Sequence, residues 1–68
     1  MRLSIILPVL DEAEGIVDAL TALAPMRARG VEVVVADGGS RDATVELARP
    51  LADMVVAAPR GRASAPVP

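Results

Sequence analysis

The chain is 68 residues long, 53% hydrophobic, and carries seven basic residues against nine acidic ones for a net charge of −2. Its length confines it to one small domain, the lack of cysteine excludes a disulfide framework or a thiolate metal site, and the lack of Phe, Tyr and Trp leaves a core of Val, Leu, Ile, Ala and Met. Arginines without clustering or interleaved aromatics exclude a nucleic-acid track, and no apolar stretch approaches the ~20 residues of a membrane span.

Met1-Arg2 followed by an apolar run has the outline of an export leader. Pro8 interrupts that run, and Asp11 and Glu12 follow with no small-residue cleavage site, so a cytoplasmic location is expected. Leu3-Ser4-Ile5-Ile6-Leu7 is a short branched apolar run that reads as the first strand. Ile16, Ala19, Leu20, Leu23 and Ala24 then recur at three- and four-residue spacing and predict one amphipathic helix. Asp11-x-x-Glu14 has the form of an Asp-headed capping box at its start. Pro25 kinks or restarts this helix, and Gly30 supplies a left-handed stop.

Residues 31–36 form the second strand, and their nearly continuous apolar character predicts cover on both faces. A second helix is expected over residues 42–49, capped by Ser40 or Asp42, with Val45, Ala48 and Leu51 towards the sheet and Pro50 closing it. Met54-Val55-Val56-Ala57-Ala58 is the third strand. Met26 and Met54 read as core filler. Residues 1–58 thus make one domain, and residues 59–68, with three prolines and no periodicity, read as an unstructured tail.

Strands alternating with helices give the order β-α-β-α-β: an α/β fold with a three-strand parallel sheet, two helices and right-handed crossovers. Ligands of such sheets bind beyond the carboxyl ends of the strands. Three loops meet there: Pro8 to Glu12, Asp37 to Asp42, and Pro59 to Arg62. Neither G-x-G-x-x-G nor G-x-x-x-x-G-K-[ST] is present, which disfavours dinucleotide and P-loop folds. Instead an acid stands at the tip of each of two strands, suited to base N–H groups or ribose hydroxyls. Asp37-Gly38 is also an ordinary turn signal. Arg60 and Arg62 are placed to neutralise a diphosphate, or are ordinary solvated charges.

The strand-end Pro8-x-x-Asp11-Glu12 is similar to the P-x-x-N-E or P-x-x-D-E opening of family-two glycosyltransferases. Val35-Ala36-Asp37-Gly38-Gly39-Ser40-Arg41-Asp42-Ala43-Thr44 resembles their V-D-G-G-S-x-D-G-T signature, at matching separation, and Arg60-Gly61-Arg62 resembles an R-G-R element of one bacterial branch. The resemblance implies a truncated Rossmann-like sheet of the GT-A type. It also implies inverting transfer of a sugar from a nucleotide-sugar donor to an acceptor hydroxyl. By position, Pro8, Asp11 and Glu12 would shape the nucleoside pocket, Asp37 would contact base or ribose, and Arg60 and Arg62 would lie near the diphosphate. Gly38 takes the second acidic position of the signature, and Asp11 replaces the commoner Asn.

The family's Q-x-N-x-G segment, its metal-binding D-x-D and its catalytic base have no counterpart in these 68 residues. No catalytic or metal-binding residue is therefore assigned, Mg²⁺ or Mn²⁺ is expected only in a full-length relative, and the chain is expected to be inactive alone. The alternatives are a non-catalytic nucleotide-binding module and a truncated product without function. A nucleotidyltransferase of related topology would need a Gly-rich basic loop after its first strand, which is not seen.

Overall fold

Apolar runs of branched residues separated by short helical stretches bury best as strands under helices, and the computed structural model, which describes residues 3–58, has that form. The order is β1 (Ser4–Val9), α1 (Ile16–Ala22), α2 (Ala24–Ala28), β2 (Glu32–Asp37), α3 (Thr44–Ala48) and β3 (Met54–Ala57). The strands are parallel in the order β1-β2-β3, with Leu7 beside Val35 and Val35 beside Val55. The α/β class and the alternating order match the sequence expectation. The tail assigned to residues 59–68 lies outside the described residues.

The first crossover is split in two, because Pro25 cannot donate to the turn before it and so sits in the first turn of a new helix, α2. That helix ends in a Schellman motif. The amide of Val31 donates to the carbonyl of Met26 and that of Gly30 to Arg27, with Gly30 at φ +96°.

Both crossovers fall on one face of the sheet, as right-handed connections between strands in sequential order require. The core there holds Val9, Ile16, Leu20, Val33, Val35, Ala48 and Ala52, with Leu7, Leu23, Leu47, Leu51 and Val55 packed around it. The opposite face is uncovered among the described residues. Alternation along the strands puts Ile6, Val34 and Met54 in one row there and Pro8, Ala36 and Val56 in the next.

Cover on both faces of β2 is therefore corrected: Val33, Val35 and Asp37 are buried, while Glu32, Val34 and Ala36 are only half-buried. Met26 and Met54 are likewise not core, being 42% and 50% exposed. Met54 belongs to the uncovered face, and α2 buries none of its residues. Ala19 and Ala24 share the periodicity of Ile16 and Leu20, yet both are exposed. Too little sheet lies beneath the crossover to cover its whole apolar stripe.

At the amino ends of the strands, Arg27 and Asp53 form an ion pair at 3.1 Å. Asp53 also accepts the Val33 amide at 2.7 Å, and Arg27 donates to the Leu51 carbonyl at 2.9 Å. These contacts fasten α2 and the loop before β3 to the start of β2. The outer edge of β1 carries Pro8. Glu32 and Gly38 donate to the carbonyls of Leu3 and Val9, so odd-numbered residues of β1 face β2, and the amide that Pro8 lacks is one that would point outward.

Two substitutions separate the covered face from the bare one. Leu20→Ala, at a residue 1% exposed, should lower stability by about 3 kcal/mol. Met54→Ala should change it by no more than about 0.5 kcal/mol. Urea unfolding followed by circular dichroism reads both, and equal effects would contradict this division of the sheet.

Candidate functional site

The carboxyl ends of β1 and β2 lie side by side, with Val9 opposite Asp37. The loops that leave them are residues 10–15 and residues 38–43, and neither has enough regular structure to satisfy its own backbone. Each therefore bonds to the other. The Gly38 amide donates to the Val9 carbonyl at 2.9 Å. Three consecutive amides of the first loop then donate to two side chains of the second and to the first residue of α3: Asp11 to Ser40 Oγ at 2.8 Å, Ala13 to Asp42 Oδ2 at 3.2 Å, and Glu12 to Thr44 Oγ1 at 2.8 Å. One bond returns, from the Arg41 amide to Asp11 Oδ1 at 2.8 Å.

Both hydroxyls are used twice. Ser40 accepts the Asp11 amide and donates to Asp37 Oδ1, and Thr44 accepts the Glu12 amide and donates to Asp42 Oδ1. A hydroxyl is the smallest side-chain group that both accepts and donates, so each one links an amide of the first loop to a carboxylate at the end of β2 or in the second loop. The carboxylates are held from further directions. Asp37 also accepts the amides of Gly39 and Ser40, both at 3.0 Å, and Asp42 accepts the Thr44 amide at 2.9 Å. Gly39 permits the tight turn by adopting φ +104°.

These bonds favour the ionised acids. The Ser40 hydroxyl, then the amides of Ser40 and Gly39, hold the Asp37 carboxyl below its ordinary value against an opposing effect of burial. The Thr44 hydroxyl does the same for Asp42, and the Val33 amide followed by Arg27 does so for Asp53 at the other end of the sheet.

The capping box expected at the start of α1 does not form. Gly15 stands at the N-cap position without a side-chain bond, and Asp11 Oδ1 is taken by Arg41. Ser40 likewise caps no helix, and Ala43 precedes α3. Asp42 does bond the Thr44 amide, combining that local contact with its bond to Ala13. Cross-loop partners have replaced local ones because the loops are adjacent and their donors would otherwise be unpaired.

Of the residues singled out from sequence, Asp11, Glu12, Asp37 and Gly38 come together on this rim. Pro8 is in β1 one residue before its end, on the uncovered face. Asp37 is 7% exposed, and both its oxygens are engaged within the turn. Glu12 is exposed, and among the described residues its carboxylate takes no protein hydrogen bond; Oε1 lies where a side chain at Gly15 would meet it, at 3.9 Å. A side chain at Gly38 would make only ordinary contacts, the nearest at 3.5 Å to the Val9 carbonyl. Arg60 and Arg62 lie outside the described residues. Thr44 closes the signature noted in the sequence, but its role as a bridge between the two loops is not evident from the motif.

A hollow of about 250 Å³ lined by Arg27, Gly30, Val31, Glu32 and Asp53 lies at the opposite end of the sheet. It reflects the meeting of two connecting loops around the Arg27–Asp53 pair rather than a convergence of chemistry. Among the described residues no helix is long and apolar enough to cross a membrane.

Comparison with known families gives a match to Glycosyl transferase family 2 over residues 4–63, most of the chain. Comparisons with curated proteins and with solved structures give no match.

Two measurements test the bridging geometry. Thr44, 0% exposed, cannot hide an unpaired partner, so Thr44→Val should lower stability by about 1–3 kcal/mol in urea unfolding despite its matched shape. The lowered carboxyls fix the sign of the acid response. Their stabilisation is complete above the unfolded value near 3.9 and is lost as pH falls through the lower folded values. The melting temperature should therefore hold steady at neutral pH and fall below about pH 4. Asp37→Asn should flatten that fall.

Proposed function

The chain belongs to glycosyl transferase family 2, and from that premise we propose that the rim holds the nucleoside end of a nucleotide-sugar donor whose sugar is transferred, with inversion, to an acceptor hydroxyl. One observation carries the reading. The loops after β1 and β2 are tied into a single surface on which the Glu12 carboxylate, unlike those of Asp11, Asp37 and Asp42, takes no protein bond among the described residues. A carboxylate of that kind accepts from vicinal ribose hydroxyls or from a base N–H, with charge-assisted strength. Gly38 leaves the backbone open to a ring lying close to it. Asp37 contributes by holding the turn rather than by reaching outward.

Arg60 and Arg62 are proposed to face the diphosphate, on the sequence alone. The described rim does not fit the Mg²⁺ or Mn²⁺ that the family implies. Asp11, Asp37 and Asp42 give oxygens to amides and hydroxyls of the loops, and no group of three or more acidic, His or Cys residues among the described residues is arranged to hold a metal ion. The role proposed for these residues is donor binding. A purely nucleotide-binding role shares the same rim.

Titration of the full chain with uridine, guanosine, cytidine and thymidine diphosphates, followed by calorimetry, tests the reading. At least one should bind, and Glu12→Ala should weaken it by about tenfold, the equivalent of one hydrogen bond, without lowering the melting temperature. A flat response to all four nucleotides would remove the proposal.

A further inference from the structure

Asp11 is the one non-glycine residue with positive φ among the described residues, at +49°. That region is uncommon for residues with a side chain, although Asp and Asn tolerate it better than most. Such conformations persist where their surroundings hold them. Here the residue is exposed and packing does not hold it. Two hydrogen bonds do, one made by its amide to Ser40 Oγ and one received by its carboxylate from the Arg41 amide. Both partners belong to a loop about thirty positions further along the chain, so the reciprocal pair joins the two halves of the rim at its exposed end. The next residue is Glu12.

We propose that Asp11 is a positioning residue for nucleotide binding: it fixes the direction in which Glu12 leaves the first loop and the height of residues 38–41 beside it, and touches no ligand itself. The inference rests on the nucleotide reading above and assigns Asp11 a different task from the ligand role implied by its motif. The turn at Asp11 sends the chain on so that the Glu12 and Ala13 amides meet Thr44 and Asp42 in succession. Without the Arg41 bond, the positive-φ turn loses one of the two contacts that hold it, and Glu12 is held on that side only by its own amide bond to Thr44. Two properties are needed at position 11: tolerance of positive φ and an acceptor oxygen at the right reach. Asp and Asn have both, Gly has only the first, and Ala has neither.

That distinction defines the experiment. Full-length wild type, Asp11→Asn, Asp11→Gly and Asp11→Ala are compared by amide hydrogen exchange and by titration with the four nucleoside diphosphates. Asp11→Asn should match wild type in both. Asp11→Gly and Asp11→Ala should speed exchange at the Arg41 amide by about tenfold, the equivalent of one lost hydrogen bond. They should weaken nucleotide binding by a similar factor, with exchange in β2 unchanged. Faster exchange spread evenly over the sheet would show a general structural role and overturn the proposal, as would unchanged nucleotide affinity in Asp11→Gly. Should Asp11→Ala fail to fold, the Asn and Gly variants decide alone. If wild type binds none of the four nucleotides, the nucleotide reading and the binding role of Asp11 both fall. If wild type binds and Asp11→Asn is as weak as Asp11→Gly, the positioning claim falls while the nucleotide reading stands.

Discussion

Two hydroxyl groups hold the working end of this molecule together. Ser40 and Thr44 each accept an amide from the loop after β1; Ser40 donates to Asp37 at the end of β2, and Thr44 to Asp42 of the loop that follows. Strip them away and the two loops keep only the Gly38 bond to Val9, the Ala13 bond to Asp42 and the Arg41 bond to Asp11. The arrangement answers a general difficulty of parallel sheets. Strand ends release backbone groups that neither the ladder nor the next helix takes up, and α1 and α3 here begin without a side-chain bond from the N-cap residue. Side chains from the neighbouring loop supply what is missing.

The same economy appears at the other end of the sheet, where Arg27 and Asp53 join α2, the Leu51 carbonyl and the Val33 amide. The partly exposed ion pair counts for less than the way Asp53 satisfies an amide at the start of β2 while its charge is balanced by the guanidinium. The sheet is thus fastened at both ends by side chains that reach between connections, with aliphatic packing confined to one face between them.

How much of this was legible in the residues depended on whether the cause was local. Branched apolar runs located all three strands, Pro25 located the break in the first crossover, and Gly30 located its end, because each acts through the backbone of its own neighbourhood. The convergence of Glu12 and Asp37 on one edge followed from strand order. The capping roles of Asp11, Glu14 and Ser40 were misread for the opposite reason. Their local spacing fits a helix start, yet better partners stood about thirty residues away, and no periodic pattern records them. The bridging contact of Thr44 and the Arg27–Asp53 pair were invisible on the same account. Met26 and Met54 show a different limit, since side-chain polarity says what favours burial but not whether a second layer exists to provide it.

Proline in β1 has a consequence for how the sheet can grow. A strand laid along the free side of β1 would find carbonyl acceptors and amide donors in alternation until Pro8, where the donor is missing. Recruitment of a neighbour on that flank is interrupted shortly before the strand ends. The sheet can be widened there, but its final stretch resists being zipped shut.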